Sequence, residues 1–232
     1  MNTLFSEIQG LFERTYAGVG INLEDCLIGA RRSRQLEALA GAQSRELSSL
    51  ACTFLRSAGG HLHVGIYYSQ WLIEQLEDND PRAGVHDGNI RALIAFVEEI
   101  NHALHAALAF QRGEIPVPGE DYARNLELQS QVDTYLVVLL FLAFFRKPGA
   151  ITRADRRWLR FHMFQAQTPR AYRDRQLAAR YAETTLLASR FTHFLEKLSA
   201  ARRVEEIRIF HALGFDEKRQ KILDLRAGRG AS

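Results

Sequence analysis

The stretch Asn89–Gln111, NIRALIAFVEEINHALHAALAFQ, decides how the rest of the chain is read. Ile90, Leu93, Val97, Ile100, Leu104 and Leu108 fall on one stripe at helical spacing, widened by Ala and Phe, with no Gly or Pro inside the run. This pattern predicts a buried helix. Its centre carries Glu98-Glu99-Ile100-Asn101-His102, with His105 one turn on. Glu98 and His102 are four apart and His105 three further, so these side chains are expected along one flank, with Glu99 pointing elsewhere. A carboxylate and an imidazole one turn apart can share a metal ion. They can equally form a hydrogen bond at the edge of a core, and the spacing alone leaves both readings open.

Outward from this helix, period two takes over. Leu50, Cys52 and Phe54 alternate with Ala51, Thr53 and Leu55; Gly59-Gly60 follows, and then Leu62, Val64, Ile66 and Tyr68 alternate with His61, His63, Gly65 and Tyr67. A β-hairpin is expected, with His61, His63 and Tyr67 on one face as a solvent edge or a binding rim. Ser69 opens a helix to about Glu77, closed by Asp78-Asn79-Asp80-Pro81. Beyond the central helix, Arg112–Gly119 reads as a loop on its two prolines and two glycines. A long helix is expected from Glu120 to Arg146, apolar on all sides from Tyr135 to Phe145, ended by Pro148-Gly149.

Before the hairpin lie a short amphipathic helix, Leu4–Thr15, and a second helix capped by Asn22 and reaching Leu39. After the long helix, further helices are expected at about Arg153–Phe164, Tyr172–Ser199, Val204–Ala212 and Asp216–Leu225, with a tail from Arg226. The whole reads as an α+β chain, predominantly α-helical. It divides into an N-terminal helical arm (1–47), a core of hairpin and two buried helices (48–146), and a basic helical C-terminal region (147–232).

Composition narrows the class. The chain has 232 residues, 47% of them hydrophobic, enough for one substantial core. Its two cysteines, Cys26 and Cys52, make no disulfide framework, and its first twenty residues lack a basic start followed by an apolar run, so a cytoplasmic location is expected. The longest apolar run, Tyr135–Phe145, is too short to span a bilayer. The net charge of +3 hides an asymmetry: residues 1–145 hold 10 Lys and Arg against 18 Asp and Glu, and residues 146–232 hold 20 against 9. Such halves either dock on each other or offer a basic face to an acidic partner. Arg153, Arg156, Arg157 and Arg160 fall at i, i+3, i+4 and i+7, a basic stripe suited to phosphates or an acidic protein, with Arg170, Arg173 and Arg175 beyond. His193 and His211 read as packed or exposed. The oligomeric state stays open, a dimer through the last helices included.

Two metal chemistries bear on the central helix. Zinc peptidases use HExxH, two histidines one turn apart with a glutamate base beside the first. Here the pentapeptide is EEINH, with Glu99 at the base, His102 at the second ligand and Glu98 in place of the first. Ferritin-like bundles use Glu-x-x-His twice, and Glu99–His102 matches once; no other histidine has a Glu three residues before it. The order of hairpin, motif helix, short loop and second buried helix resembles the small zincins of the gluzincin group, above all the compact phage-repressor-cleaving peptidases. In that family the second helix reads approximately E-x-E-A-D/N-x-F-A-x-x-L-L, and Gln129–Leu140, QSQVDTYLVVLL, is similar to it with both Glu positions turned to Gln.

The resemblance covers about residues 48–146. It implies zinc as the ion, Glu99 as catalytic base, His102 as a ligand, Asp133 as the group that steadies a ligand histidine, and Tyr135 as a core aromatic. Glu98 replaces a histidine, and Gln129, a poor zinc ligand, stands where a carboxylate is expected. A metal would then rest on Glu98 and His102 with help from Glu127, His105, His61 or His63. The expectation is a degenerate zincin-like domain without peptidase activity that acts through a macromolecular partner. Alternatives are an active metal-dependent hydrolase and a nucleic-acid-associated protein working through the Arg153–Arg175 stripe.

Overall fold

The computed structural model describes residues 3–40, 50–114, 119–145, 151–165 and 175–227. Expectations placed on Pro116, Pro118, Pro148, Gly149, Arg170, Tyr172 and Arg173 lie outside the described residues. In chain order the elements are α1 (Leu4–Thr15), α2 (Ala30–Ala40), β1 (Ala51–Ala58), β2 (His61–Tyr68), α3 (Gln70–Asp78), α4 (Ile90–Gln111), α5 (Glu120–Phe145), α6 (Arg153–Phe164), α7 (Arg175–Leu195), α8 (Ala200–His211) and α9 (Phe215–Ala227). The fold is α+β and predominantly helical.

The hairpin forms where the alternation placed it. β1 and β2 pair antiparallel with Ala58 opposite His61 and Ala51 opposite Tyr68. Gly59 and Gly60 make the two-residue turn at φ +59° and +76°, a conformation that glycine adopts at least cost and that matches the strand twist. The sheet lies on α4: Thr53 Oγ1 donates to the Glu99 carbonyl at 3.1 Å and the buried Tyr68 hydroxyl to the Phe96 carbonyl at 2.9 Å. Each bond gives a side-chain hydroxyl of the sheet an acceptor on α4 and ties sheet to helix.

α4 begins where Asn89 organises the preceding loop. Its amide donates to the Asn79 and Gly84 carbonyls and its Oδ1 accepts from the His86 N–H. The helix then sits centrally in the main core. Ile90, Leu93, Val97, Ile100 and Leu104 are at most 1% exposed, and α1 joins the same core through Phe5, Ile8 and Phe12. A second core forms where Leu128 and Val132 of α5 meet Phe191, Phe210 and Ile222 of α7, α8 and α9. By length and composition α4 and α5 could each cross a membrane, yet 67% and 72% of their most apolar windows are buried within the fold, as core helices are.

Two local expectations need correction. Asn22 caps a short 3₁₀ turn, Leu23–Cys26, rather than a helix running to Leu39. The chain then extends so that the Ile28 N–H bonds the Ile66 carbonyl on the edge of β2 at 2.8 Å, and a helix can start only after Gly29. α5 is not buried all round: Leu140 and Phe144, one turn apart, are 47% and 78% exposed, while Phe141 and Leu142 in the same turns are buried, so one stripe of the helix faces outward.

Candidate functional site

α4 and α5 cross with their polar residues facing one another, and two clusters result. The first holds the expected metal residues. His102 Nδ1 lies 3.5 Å from Glu99 Oε2, and His102 Nε2 lies 3.7 Å from Glu127 Oε2, so the ring is flanked by a carboxylate at each nitrogen. The expectation that Glu99 points away while Glu98 pairs with His102 is corrected. On a helix i and i+3 are neighbours as much as i and i+4, and α5 supplies Glu127 on the other side of the ring. Gln131 steadies Glu127, donating to its Oε1 at 2.9 Å.

These contacts set the charges. Burial pushes the Glu98 carboxyl up to about 8, reinforced by the charge of Glu127, partly offset by His102, with a further rise from Glu99. Burial also raises Glu127, against the opposing pull of His102 and Gln131. For His102 burial works downward, but the Glu99 contact and the carboxylates around it outweigh burial and hold the ring at about 9. At neutral pH His102 is therefore an imidazolium and Glu98 is largely protonated.

The second cluster involves the remaining histidine of the helix. His105 turns away from His102 to Asp133, with Nε2 2.8 Å from Asp133 Oδ2. The same oxygen accepts from the amides of Asn101 at 3.0 Å and Gln129 at 3.1 Å, while Asp133 Oδ1 accepts from the Tyr16 hydroxyl at 2.5 Å. These donors hold the Asp133 carboxyl below its usual range although burial opposes them. Burial keeps His105 lowered, so the neutral ring donates through Nε2 to the Asp133 carboxylate, and among the described residues Nδ1 has no hydrogen-bond partner. Tyr16 and His211 pack on the His105 ring with centroids 4.9 and 4.6 Å away.

From α9, Lys218 reaches into this knot with its side chain buried, donating to Gln129 Oε1 at 2.8 Å. Burial pushes it down to about 7. Arg112 donates to His211 Nε2 at 2.9 Å, and burial, then the nearby His105, push His211 down to about 3.

Comparison with known protein families, with curated proteins and with solved structures gives no match. Among the described residues, no group of three His, Cys, Asp or Glu side chains is placed to hold a metal ion. The His102 nitrogens lie against Glu99 and Glu127, and His105 Nε2 lies against Asp133, so the expected ligands face one another in two separate clusters and not a shared point; this arrangement does not present the ligand set that zinc needs. His61 and His63 stand exposed at the turn end of the hairpin, opposite Ala58 and Arg56. That is three or more residues along the ladder from Thr53, about 10 Å from where the sheet meets Glu99. The Cys52 thiol, pushed up to about 12 by burial and then by Glu99, is a core group.

The basic stripe divides. Arg160 donates to the Ser189 carbonyl at 2.6 Å and approaches Glu196, as does Arg156 at 3.6 Å; Glu196 also accepts from the Tyr135 hydroxyl. Arg156 and Arg160 thus bind α6 to α7, and Arg153 and Arg157 remain exposed. Sequence reasoning missed Tyr16, Lys218, His211 and the central position of Asp133 in a second cluster. Only the pair Asn101 and His105, one turn apart and matched by Gln129 and Asp133 one turn apart on α5, carried a signal for it.

Proposed function

We propose that this chain is a non-hydrolytic scaffold of zincin-like layout that acts by binding a macromolecular partner. The observation that carries this reading is the His102 ring flanked at both nitrogens by Glu99 and Glu127. A hydrolytic zinc site needs that imidazole neutral with a free lone pair, and it needs a carboxylate base facing a metal-bound water. Here the would-be base is the ion-pair partner of the would-be ligand, and the first-ligand position is Glu98, whose carboxyl burial pushes up to about 8. What remains of the resemblance is architectural: a hairpin laid on a motif helix, with an acidic residue of the next helix facing it.

A second reading, a metal-dependent hydrolase, would require Glu99 and Glu127 to leave the His102 nitrogens and turn with that ring onto a common ion. Equilibrating the purified chain with zinc at pH 7.5, removing free ion by dialysis and measuring bound metal by elemental mass spectrometry separates the two. The scaffold reading expects far less than stoichiometric zinc. Stoichiometric zinc, lost in both His102→Ala and Glu127→Gln, would overturn it.

A further inference from the structure

A cleft of about 550 Å³ opens between α1, the 3₁₀ turn at Leu23–Cys26, the end of β2, α3 and Phe96 of α4. Its floor is apolar, made by Phe5, Tyr68, Leu72 and Phe96. Its mouth is apolar as well: Leu27 and Ile73 line it and are 44% and 38% exposed. A small ligand seated on the floor would leave those lips in water, whereas a protein segment laid across the mouth would cover floor and lips together.

The charges at the cleft choose among such segments. Glu24, Glu77, Asp80 and Arg82 line it. Arg82 is already taken, 2.6 Å from Asp80 and 3.7 Å from Glu7. Glu24 and Glu77 form no ion pair among the described residues. Covering two carboxylates without supplying a cation is unfavourable, and an anionic occupant is repelled outright. We propose that this cleft is the docking site for a partner segment that presents two or more large apolar side chains beside a lysine or arginine. The proposal names the partner chemistry of the scaffold reading and rests on it.

The test selects phage-displayed random peptides on the full-length chain, then measures the affinity of a synthetic consensus peptide by fluorescence anisotropy. The expected outcome is enrichment of sequences pairing large apolar residues with Lys or Arg. Binding should weaken by about tenfold or more in Glu24→Lys/Glu77→Lys and in Ile73→Asp. These positions lie on the surface or its edge, and an unchanged circular dichroism spectrum and melting temperature verify that the variants fold. No enrichment, enrichment without basic residues, or a consensus peptide whose affinity ignores both variants would overturn the docking site. Metal content reports on the scaffold reading separately: stoichiometric zinc alongside cleft-dependent peptide binding would remove that reading and leave the docking site standing.

Discussion

Lys218 Nζ donates to Gln129 Oε1 at 2.8 Å inside a core that leaves the lysine 1% exposed, tying α9 to α5. A lysine held at about 7 releases its proton more readily in the folded chain than in the unfolded one, where its ordinary value is 10.5. The unfolded chain therefore holds more protons between those values, and this residue makes stability rise as pH climbs from about 7 toward 10.5. Lys218→Met should flatten that rise, read as the difference between wild-type and variant urea midpoints from pH 6 to 10.

His102 gives the opposite slope. Its folded value of about 9 lies above the ordinary 6.5, so its stabilising contribution is complete below 6.5 and is lost as pH rises through 9. His102→Gln removes the cation between Glu99 and Glu127 and should destabilise the chain by about 1–3 kcal/mol at pH 6. The deficit should shrink toward pH 10.

For Glu98 the folded carboxyl at about 8 keeps its proton while the unfolded one loses it at 4.5, so stability falls as pH rises between the two. Glu98→Gln should match wild type near pH 4 and exceed it at pH 8. A variant less stable than wild type at pH 8 would mean that the Glu98 charge is compensated in the fold.

Asp133 gathers donors from three elements: Tyr16 beyond α1, Asn101 and His105 on α4, and Gln129 on α5. Asp133→Asn should cost about 3–5 kcal/mol, since it leaves buried donors facing an amide in place of a charge. Tyr16→Phe should cost about 1.5–3 kcal/mol, as for a hydrogen bond to a charged group. A double-mutant cycle should show the two effects to be non-additive.

The arginines of α6 should separate by role. Arg160→Ala breaks the contacts to Ser189 and Glu196 and should lower the melting temperature, whereas Arg153→Ala and Arg157→Ala should change stability by less than about 0.5 kcal/mol. If nucleic acid binds at all, only the latter two variants should weaken it without unfolding.

Much of the frame was legible because it is local. Alternation on either side of Gly59-Gly60, and an uninterrupted helical stripe from Ile90 to Leu108, need no tertiary information. The failures are tertiary. A helix starting at Asn22 looked sound until Ile28 found the edge of β2, and Glu98 looked like the partner of His102 until α5 brought Glu127 to the ring. Lys218 sits in the polar run Asp216-Glu217-Lys218-Arg219, whose pattern marks a surface. Only the meeting of α9 with α5, 89 residues apart in sequence, buries it.

The state of the His102 ring separates a scaffold from a hydrolytic site. Long-range nitrogen–proton NMR on chain labelled at histidine, with His102 assigned through His102→Gln, reads the protonation of both ring nitrogens directly. The expected result is an imidazolium at pH 7.5, protonated at Nδ1 and Nε2 and titrating near 9. A neutral His102 in a single tautomer at that pH, or a ring nitrogen shifted by added zinc, would contradict it.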